Sequence, residues 1–340
     1  GEPEEVVITA ASDLKWNEDL IMNMTSGVTQ FAFSPDETQL AVAMRGELFV
    51  FPFEDGEAGD ARRVTETPAR EKDPAWMPDG ETLLFASDRT GDYDIYALKS
   101  AEEGKPRLSD ALKFETTRLT DSDEDEFEPM VSPDGDRIAY MYGDDYLQIM
   151  DPDGADVMRL VPDPGILHAA WSPDGRWIAI SRTTMGHKED VFIIPSEGGE
   201  AVNVTDHPND DFQPQWSDDG KRLSFASRTD DGQYALKYIW LLREDYWKTE
   251  DEREKDAEEF EEAMAAAEED EDAEPFELSV EIDFDGINER TVTVANMRGG
   301  YDFYAQTPNG HHYAFRDRSL GRSNLWLVDW EGNRLEQVSE

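Results

Sequence analysis

Residues 74–98 read PAWMPDGETLLFASDRTGDYDIYAL. A tryptophan closes a short extended segment, Met77-Pro78-Asp79-Gly80 turns the chain, and an apolar run follows from Thr82 to Ala86. After a second polar break comes another strand, Asp94–Leu98. Proline fixes φ at the first central position of such a turn, and Asp-Gly supplies a side-chain acceptor and a permissive φ. The stretch therefore reads as antiparallel strands joined by hairpins.

The turn recurs. It returns as Ser34-Pro35-Asp36-Glu37, Ser132-Pro133-Asp134-Gly135, Ser172-Pro173-Asp174-Gly175, Ser217-Asp218-Asp219-Gly220 and Thr307-Pro308-Asn309-Gly310, at intervals of 43, 55, 40, 45 and 90 residues. Periods of roughly 40 to 50 residues belong to propeller blades rather than helical solenoids. Each turn follows an apolar segment ending in Phe33, Trp76, Val131, Trp171 or Trp216. After the turn comes a second strand: Leu40–Ala43, Thr82–Ala86, Arg137–Met141, Trp177–Ser181 or Arg222–Ala226. Third strands are expected at Leu48–Phe51, Asp94–Leu98, Tyr146–Met150, Asp190–Ile194 and Tyr238–Leu242. Fourth strands are expected at 63–65, 118–120, 159–161 and 202–205, and the last unit reads Tyr301–Gln306, His311–Phe315, Asn324–Val328 and Leu335–Val338. The expected fold is all-β: a β-propeller of six four-stranded antiparallel blades around a central channel. Trp76, Trp171 and Trp216 share one repeat position, which marks them as packing residues between blades.

The interval of 90 residues is one period plus an acidic insertion in the fifth blade, residues 244–277. Between Glu244 and Glu274 stand 17 acids and 3 bases, with no glycine. A solvated helical or disordered excursion is the expected form. Leu278–Phe284 then alternates again, with Arg290–Val294 as its expected hairpin partner. Residues 1–27 form an opening segment outside the blades, and residues 28–340 the propeller. Val6-Val7-Ile8-Thr9 reads as a fourth strand that either closes the ring against the last blade or ends a preceding domain.

Of 340 residues, 79 are acidic and 31 basic, a net charge of −48 that repels nucleic acid and anionic membranes alike. With 38% hydrophobic residues and nine tryptophans, the chain is nonetheless equipped to build a core. There are no cysteines, so disulfides and thiolate metal sites are excluded. No run of eighteen apolar residues spans a membrane, and Gly1–Ile8 shows no basic leader. The expected location is cytoplasmic, or periplasmic if a signal peptide was removed. The acids are spread along the whole chain, which fits a salt-rich cytoplasm; an acidic protein from an ordinary source is the alternative.

Catalytic chemistry finds no foothold. Five histidines, His168, His187, His207, His311 and His312, fall at turns and strand edges, none beside a nucleophile elbow or a phosphate loop. The acids Asp121, Asp123, Glu124, Asp125, Glu126 and Glu128 are hard ligands, but they lack the glycine of a calcium loop. Asp206, Asp210 and Asp211 read the same way. No catalytic residue, metal site or cofactor is assigned. One pattern is more informative. Three residues before each framing residue stand Gln30, Asp73, Glu128, His168 and Gln213, with Phe303 as the sixth. A hydrated ring at one channel mouth accounts for the polar residues, as does simple exposure of a strand start. This ring is the candidate peptide or solute contact.

Pro74-Ala75-Trp76 with Pro78-Asp79-Gly80, Leu84–Asp88 and Asp94–Tyr96 resembles the blade repeat of TolB-like and tricorn-like propellers. Asp13–Gly27 followed by Val28–Pro35 resembles the start of the second, C-terminal propeller of tricorn-like serine peptidases. Arg45–Val50 with Gly56 and Arg62–Thr65 is similar to the first blade there. Val280–Ile287 with Arg290 resembles the segment after that family's acidic loop. The resemblance implies a non-catalytic accessory domain, in which peptides or a protein partner are guided or gated toward a protease module of the same full-length chain. It also implies a seven-bladed ring of which six blades are visible, and exposed sheet surface would then favour a homo-oligomer. The alternatives are a stand-alone TolB-like interaction propeller and a propeller lyase or hydrolase with a channel metal.

Screening should relieve this self-repulsion, since the Debye length falls to about 3 Å at molar salt. Unfolding midpoints are expected to rise with KCl, and maximal stability in dilute buffer would refute the salt-rich setting.

Overall fold

The computed structural model describes residues 26–184, 187–228, 232–269, 278–297, 301–307, 311–317 and 324–338. The ring-closing strand expected at Val6–Thr9 lies outside them. Six antiparallel sheets follow one another along the chain, each with its strands in sequence order. Their inner strands are Val28–Phe33, Glu71–Trp76, Glu126–Val131, Ile166–Trp171, Asp210–Trp216 and Tyr301–Gln306. Their fourth strands are Arg62–Arg63, Phe114–Arg118, Met158–Arg159, Val202–Asn203, Thr291–Met297 and Leu335–Gln337. A two-residue strand, Glu57–Ala58, adds a small hairpin to the first blade. The chain is a six-bladed propeller.

The repeated turn is built from side chains. Ser34, Ser132, Ser172 and Ser217 each donate a hydroxyl to the Asp two residues on, at 2.5 to 2.6 Å. Each serine oxygen also accepts the N–H of the residue five positions later, at 2.9 to 3.0 Å. The turn thus locks itself before the second strand begins. In the second blade Met77 replaces the serine, and Thr82 takes over by donating to Asp79 at 2.6 Å.

Second strands such as Leu83–Ser87 are buried throughout. They have neighbours on both faces, so a blade cannot cover itself. Adjacent blades share hydrophobic clusters: first with second, second with third, third with fourth, fourth with fifth, and fifth with sixth. The framing tryptophans fasten three of these five junctions. Trp76 Nε1 donates to the Ala32 carbonyl at 3.1 Å, Trp171 to Met130 at 3.0 Å and Trp216 to Ala170 at 3.0 Å. No cluster among the described residues joins the sixth blade to the first. There Val28, Phe31 and Phe33 stand 53%, 66% and 42% exposed.

A second fastening uses threonine. Thr65, Thr120 and Thr205 end their blades and accept the N–H of Leu48, Ile95 and Val191 at 3.0, 2.9 and 3.1 Å. Their hydroxyls turn toward Glu71, Glu126 and Asp211, the buried carboxylates that open the next inner strand. Burial pushes all three carboxyls up, against the pull of these hydroxyls.

The fifth blade departs from two expectations. Its third strand is Tyr234–Trp240 rather than Tyr238–Leu242, because Leu241 and Leu242 lead out into the insertion. Leu278–Phe284 is not a strand, and Thr291–Met297 pairs with Tyr234–Trp240 as the fourth strand of the blade. The alternation in 278–284 instead marks a one-sided packing face. Val280 is buried and Ile282 and Phe284 lie against the cluster of the fourth and fifth blades. The Val280 N–H reaches Asp174 at 2.8 Å, and Arg176 holds its carbonyl at 3.1 Å. Gly220 is required here, because a Cβ would stand 2.7 Å from Val280.

Helices α1 (Arg243–Trp247) and α2 (Glu250–Glu269) occupy the insertion. One face of α2 docks: Asp256 takes Lys221 at 3.1 Å and Lys248 at 2.7 Å, and Glu261 takes His311 at 2.7 Å. The buried Arg290 collects the carbonyls of Trp240, Leu241, Asp283 and Asp285, so the departing and returning segments share one anchor. No described helix is long and apolar enough to cross a membrane.

Replacing Trp216 by Phe keeps a ring but strands the Ala170 carbonyl. A loss of about 1 kcal/mol is expected, against about 3–5 kcal/mol for Trp216→Ala. Urea unfolding at fixed KCl measures both.

Candidate functional site

The candidate ring lies where the inner strands begin, and each of them is irregular there. The register against the second strand slips between Val28 and Gln30, Lys72 and Ala75, Phe127 and Met130, Ile166 and His168, Phe212 and Gln215, and Tyr301 and Phe303. These are β-bulges, which bend a strand and re-aim its side chains. At Asp73, Glu128 and Gln213 the bulge residue is left-handed, with φ of 56°, 52° and 54°. Such a conformation costs a non-glycine residue about 1–2 kcal/mol, so the surrounding contacts must impose it.

Those contacts run from blade to blade. Gln30 Nε2 donates to Asp73 Oδ1, and the Asp73 N–H returns to Gln30 Oε1 at 2.8 Å. Asp73 Oδ2 then accepts the Glu128 N–H at 3.2 Å. Asp73 is 8% exposed, whereas Glu128 and His168 stand exposed. Although the side chain keeps access to solvent, desolvation by the surrounding walls raises the Glu128 carboxyl above its ordinary range, the negative Asp73 adds to this, and Lys72 and His168 oppose it. His168 Nδ1 lies 2.9 Å from Ser181 Oγ and 3.6 Å from Glu189 Oε1. Three of the five polar candidates, Gln30, Asp73 and Glu128, are thus linked across consecutive blades, while the contacts of His168 stay within its own blade. Gln213 occupies the matching bulge, and its carbonyl accepts the Tyr304 hydroxyl at 2.6 Å. Phe303, the sixth, is exposed.

Sequence reasoning passed over Lys72. Its ammonium lies 3.4 Å from Asp73 Oδ2 and over the rings of Tyr93 and Phe127, 4.4 and 4.2 Å from their centroids. Comparing the residue before each left-handed bulge, Lys72 against Phe127 and Phe212, would have singled it out.

No family model matches this chain. The uncharacterized peptidase YuxL of Bacillus subtilis (strain 168) is 29% identical over 170 residues, 49% of this chain and 24% of YuxL. A crystal structure of the tricorn protease superposes with a TM-score of 0.63 at 12% identity, covering 92% of this chain and 30% of that one. TolB from Acinetobacter baumannii gives a TM-score of 0.55 at 17% identity, over 89% of this chain and 64% of TolB. The fold is that of the TolB and tricorn propellers. The chain spans between about a quarter and a half of the length of the curated relatives it matches.

Within this propeller the acids between the second and third blades scatter. Glu126 is buried, Asp121 pairs with Arg118 at 2.8 Å, and Asp125 accepts the Tyr93 N–H at 2.9 Å. No group of three or more His, Asp or Glu among the described residues is arranged around a metal position.

A tighter pair sits between the fourth and fifth blades. The Asn209 N–H donates to His207 Nδ1 at 3.3 Å, which leaves the proton of neutral His207 on Nε2, 3.2 Å from Asp211 Oδ2. Burial pushes Asp211 up to about 7, against the hydroxyls of Ser227 and Thr205, and pushes His207 down. An unfolded aspartate titrates near about 3.9. The Asp211 contribution to stability is therefore present below that value and lost as pH rises through about 7. The depressed His207 acts in the opposite sense, its contribution being lost as pH falls below its ordinary range. Asp211→Asn is expected to abolish the decline between about pH 4 and 7 and keep the loss due to His207, as read by urea unfolding at constant KCl. An unchanged profile would remove the pair from this account.

Proposed function

We propose that this chain is the non-catalytic propeller of a tricorn-like peptidase, guiding or gating peptides and meeting a protease module of the same full-length polypeptide. The match to the uncharacterized peptidase YuxL carries this reading, since the similarity covers about half of this chain but only about a quarter of that longer protein. The polar bulge ring supports it, because a hydrated mouth suits an extended polypeptide better than an apolar plug does. Chemistry is assigned to the absent module, and a salt-rich cytoplasm is the proposed setting.

A stand-alone TolB-like interaction propeller is the second reading, favoured by a 26% identical stretch of 151 residues in a TolB homolog of Chlorobium luteolum. The complete reading frame separates them: a PDZ-plus-protease segment supports the first, a stop codon after Glu340 the second.

Purified chain incubated with unstructured peptides is expected to leave them intact. Robust cleavage abolished by a serine-directed inhibitor would overturn the accessory role.

A further inference from the structure

Resting on the reading that the channel handles peptides, we propose that Glu128 is the docking point for one primary ammonium group of an extended peptide. Most polar members of the mouth are already engaged. Asp73 is held by Gln30 and Lys72 and itself holds the Glu128 N–H. His168 lies against Ser181 and Glu189. Among the described residues, the Glu128 carboxylate has neither a hydrogen-bond nor an ion-pair partner. Its backbone is fixed by the left-handed bulge and by Asp73, so the side chain starts from a fixed point at the mouth.

The sign of the field selects the ligand. Lys72 pairs with Asp73, and among the described residues no cation lies within ion-pair distance of the Glu128 carboxylate, so an anion would be repelled. A divalent cation would need more ligands than one carboxylate, and the described residues offer no such group. A compact ammonium needs only one carboxylate and a partly desolvated wall. The mouth already seats one ammonium in that manner: Lys72, between a carboxylate and the rings of Tyr93 and Phe127. Asp73 Oδ2, which faces Lys72, also accepts the Glu128 N–H, so the two seats adjoin through one carboxylate. Burial and the nearby Asp73 hold the Glu128 carboxyl above its ordinary range, a penalty that an incoming cation relieves.

The same ammonium could come from a lysine side chain or a peptide N-terminus. Three labelled, otherwise neutral extended peptides separate these: acetylated with one lysine, free N-terminus without lysine, and acetylated without either. Binding is read by fluorescence anisotropy in molar KCl, where the attraction of the whole acidic surface is screened to about 3 Å. Wild type is compared with Glu128→Gln and with Asp136→Asn, which removes an equal charge from an exposed turn at the other end of the blade. Glutamine already stands at this bulge position as Gln30 and Gln213, so Glu128→Gln is compatible with the fold, and its unfolding midpoint checks this.

We expect at least one ammonium peptide to bind about tenfold more tightly than the neutral one, with the tighter binder naming the source. Glu128→Gln should erase that preference and Asp136→Asn should keep it. Equal binding of all three peptides, or a preference that survives in Glu128→Gln, overturns the docking role while leaving peptide handling in place. Failure of every peptide to bind overturns both.

Discussion

The packing of one blade face on the next is what the architecture depends on, and at three of the five junctions the indole N–H of Trp76, Trp171 or Trp216 crosses to a carbonyl of the preceding inner strand. A blade with a second strand buried on both faces has no stable existence alone, because each face needs another sheet against it. The indole supplies area for that burial and a donor for a carbonyl that would otherwise be stranded in an apolar junction. Five shared clusters carry the chain from the first blade to the sixth. The exposed Val28, Phe31 and Phe33 show what a blade face looks like without such cover.

The net charge of −48 is not one uniform coat. Some acids are structural. Asp36, Asp134, Asp174 and Asp219 accept the serine hydroxyls that lock the repeated turns. Burial alone would raise the Asp174 carboxyl, but hydrogen bonds from Ser172, the Val280 N–H and Arg176 outweigh it and hold it low. Glu71, Glu126 and Asp211 lie inside the junctions, where burial wins instead. The α2 helix is the remaining case: Asp256 and Glu261 are used for docking, and Glu258, Glu259 and Glu262 face solvent. The same residue type thus serves as turn lock, junction latch and solvated surface, according to what surrounds it.

The ring at the inner-strand starts was legible as a position and not as a device. Equal spacing from the framing residues picked out Gln30, Asp73, Glu128, His168 and Gln213. It could not reveal that Asp73 links Gln30 to the Glu128 backbone, since those partners lie 43 and 55 residues away. The left-handed φ at Asp73, Glu128 and Gln213 was equally hidden, because no glycine or asparagine marks these places. In the fifth blade the alternation of Leu278–Phe284 was real, yet it recorded one buried face and not a ladder. Period-two burial arises wherever an extended chain lies on a surface.

By itself, then, the sequence determined the repeat, because a Ser-Pro-Asp-Gly turn closes on its own neighbours and alternation follows from local strand geometry. It also determined the number of blades. Only the tertiary structure decided which acids lie buried in junctions and which strand completes the fifth blade. It alone shows that Lys72 sits between a carboxylate and two rings and that the carboxylate of Glu128 stands without a partner among the described residues. These properties depend on contacts between residues a blade apart or more, brought together only when one sheet packs on the next.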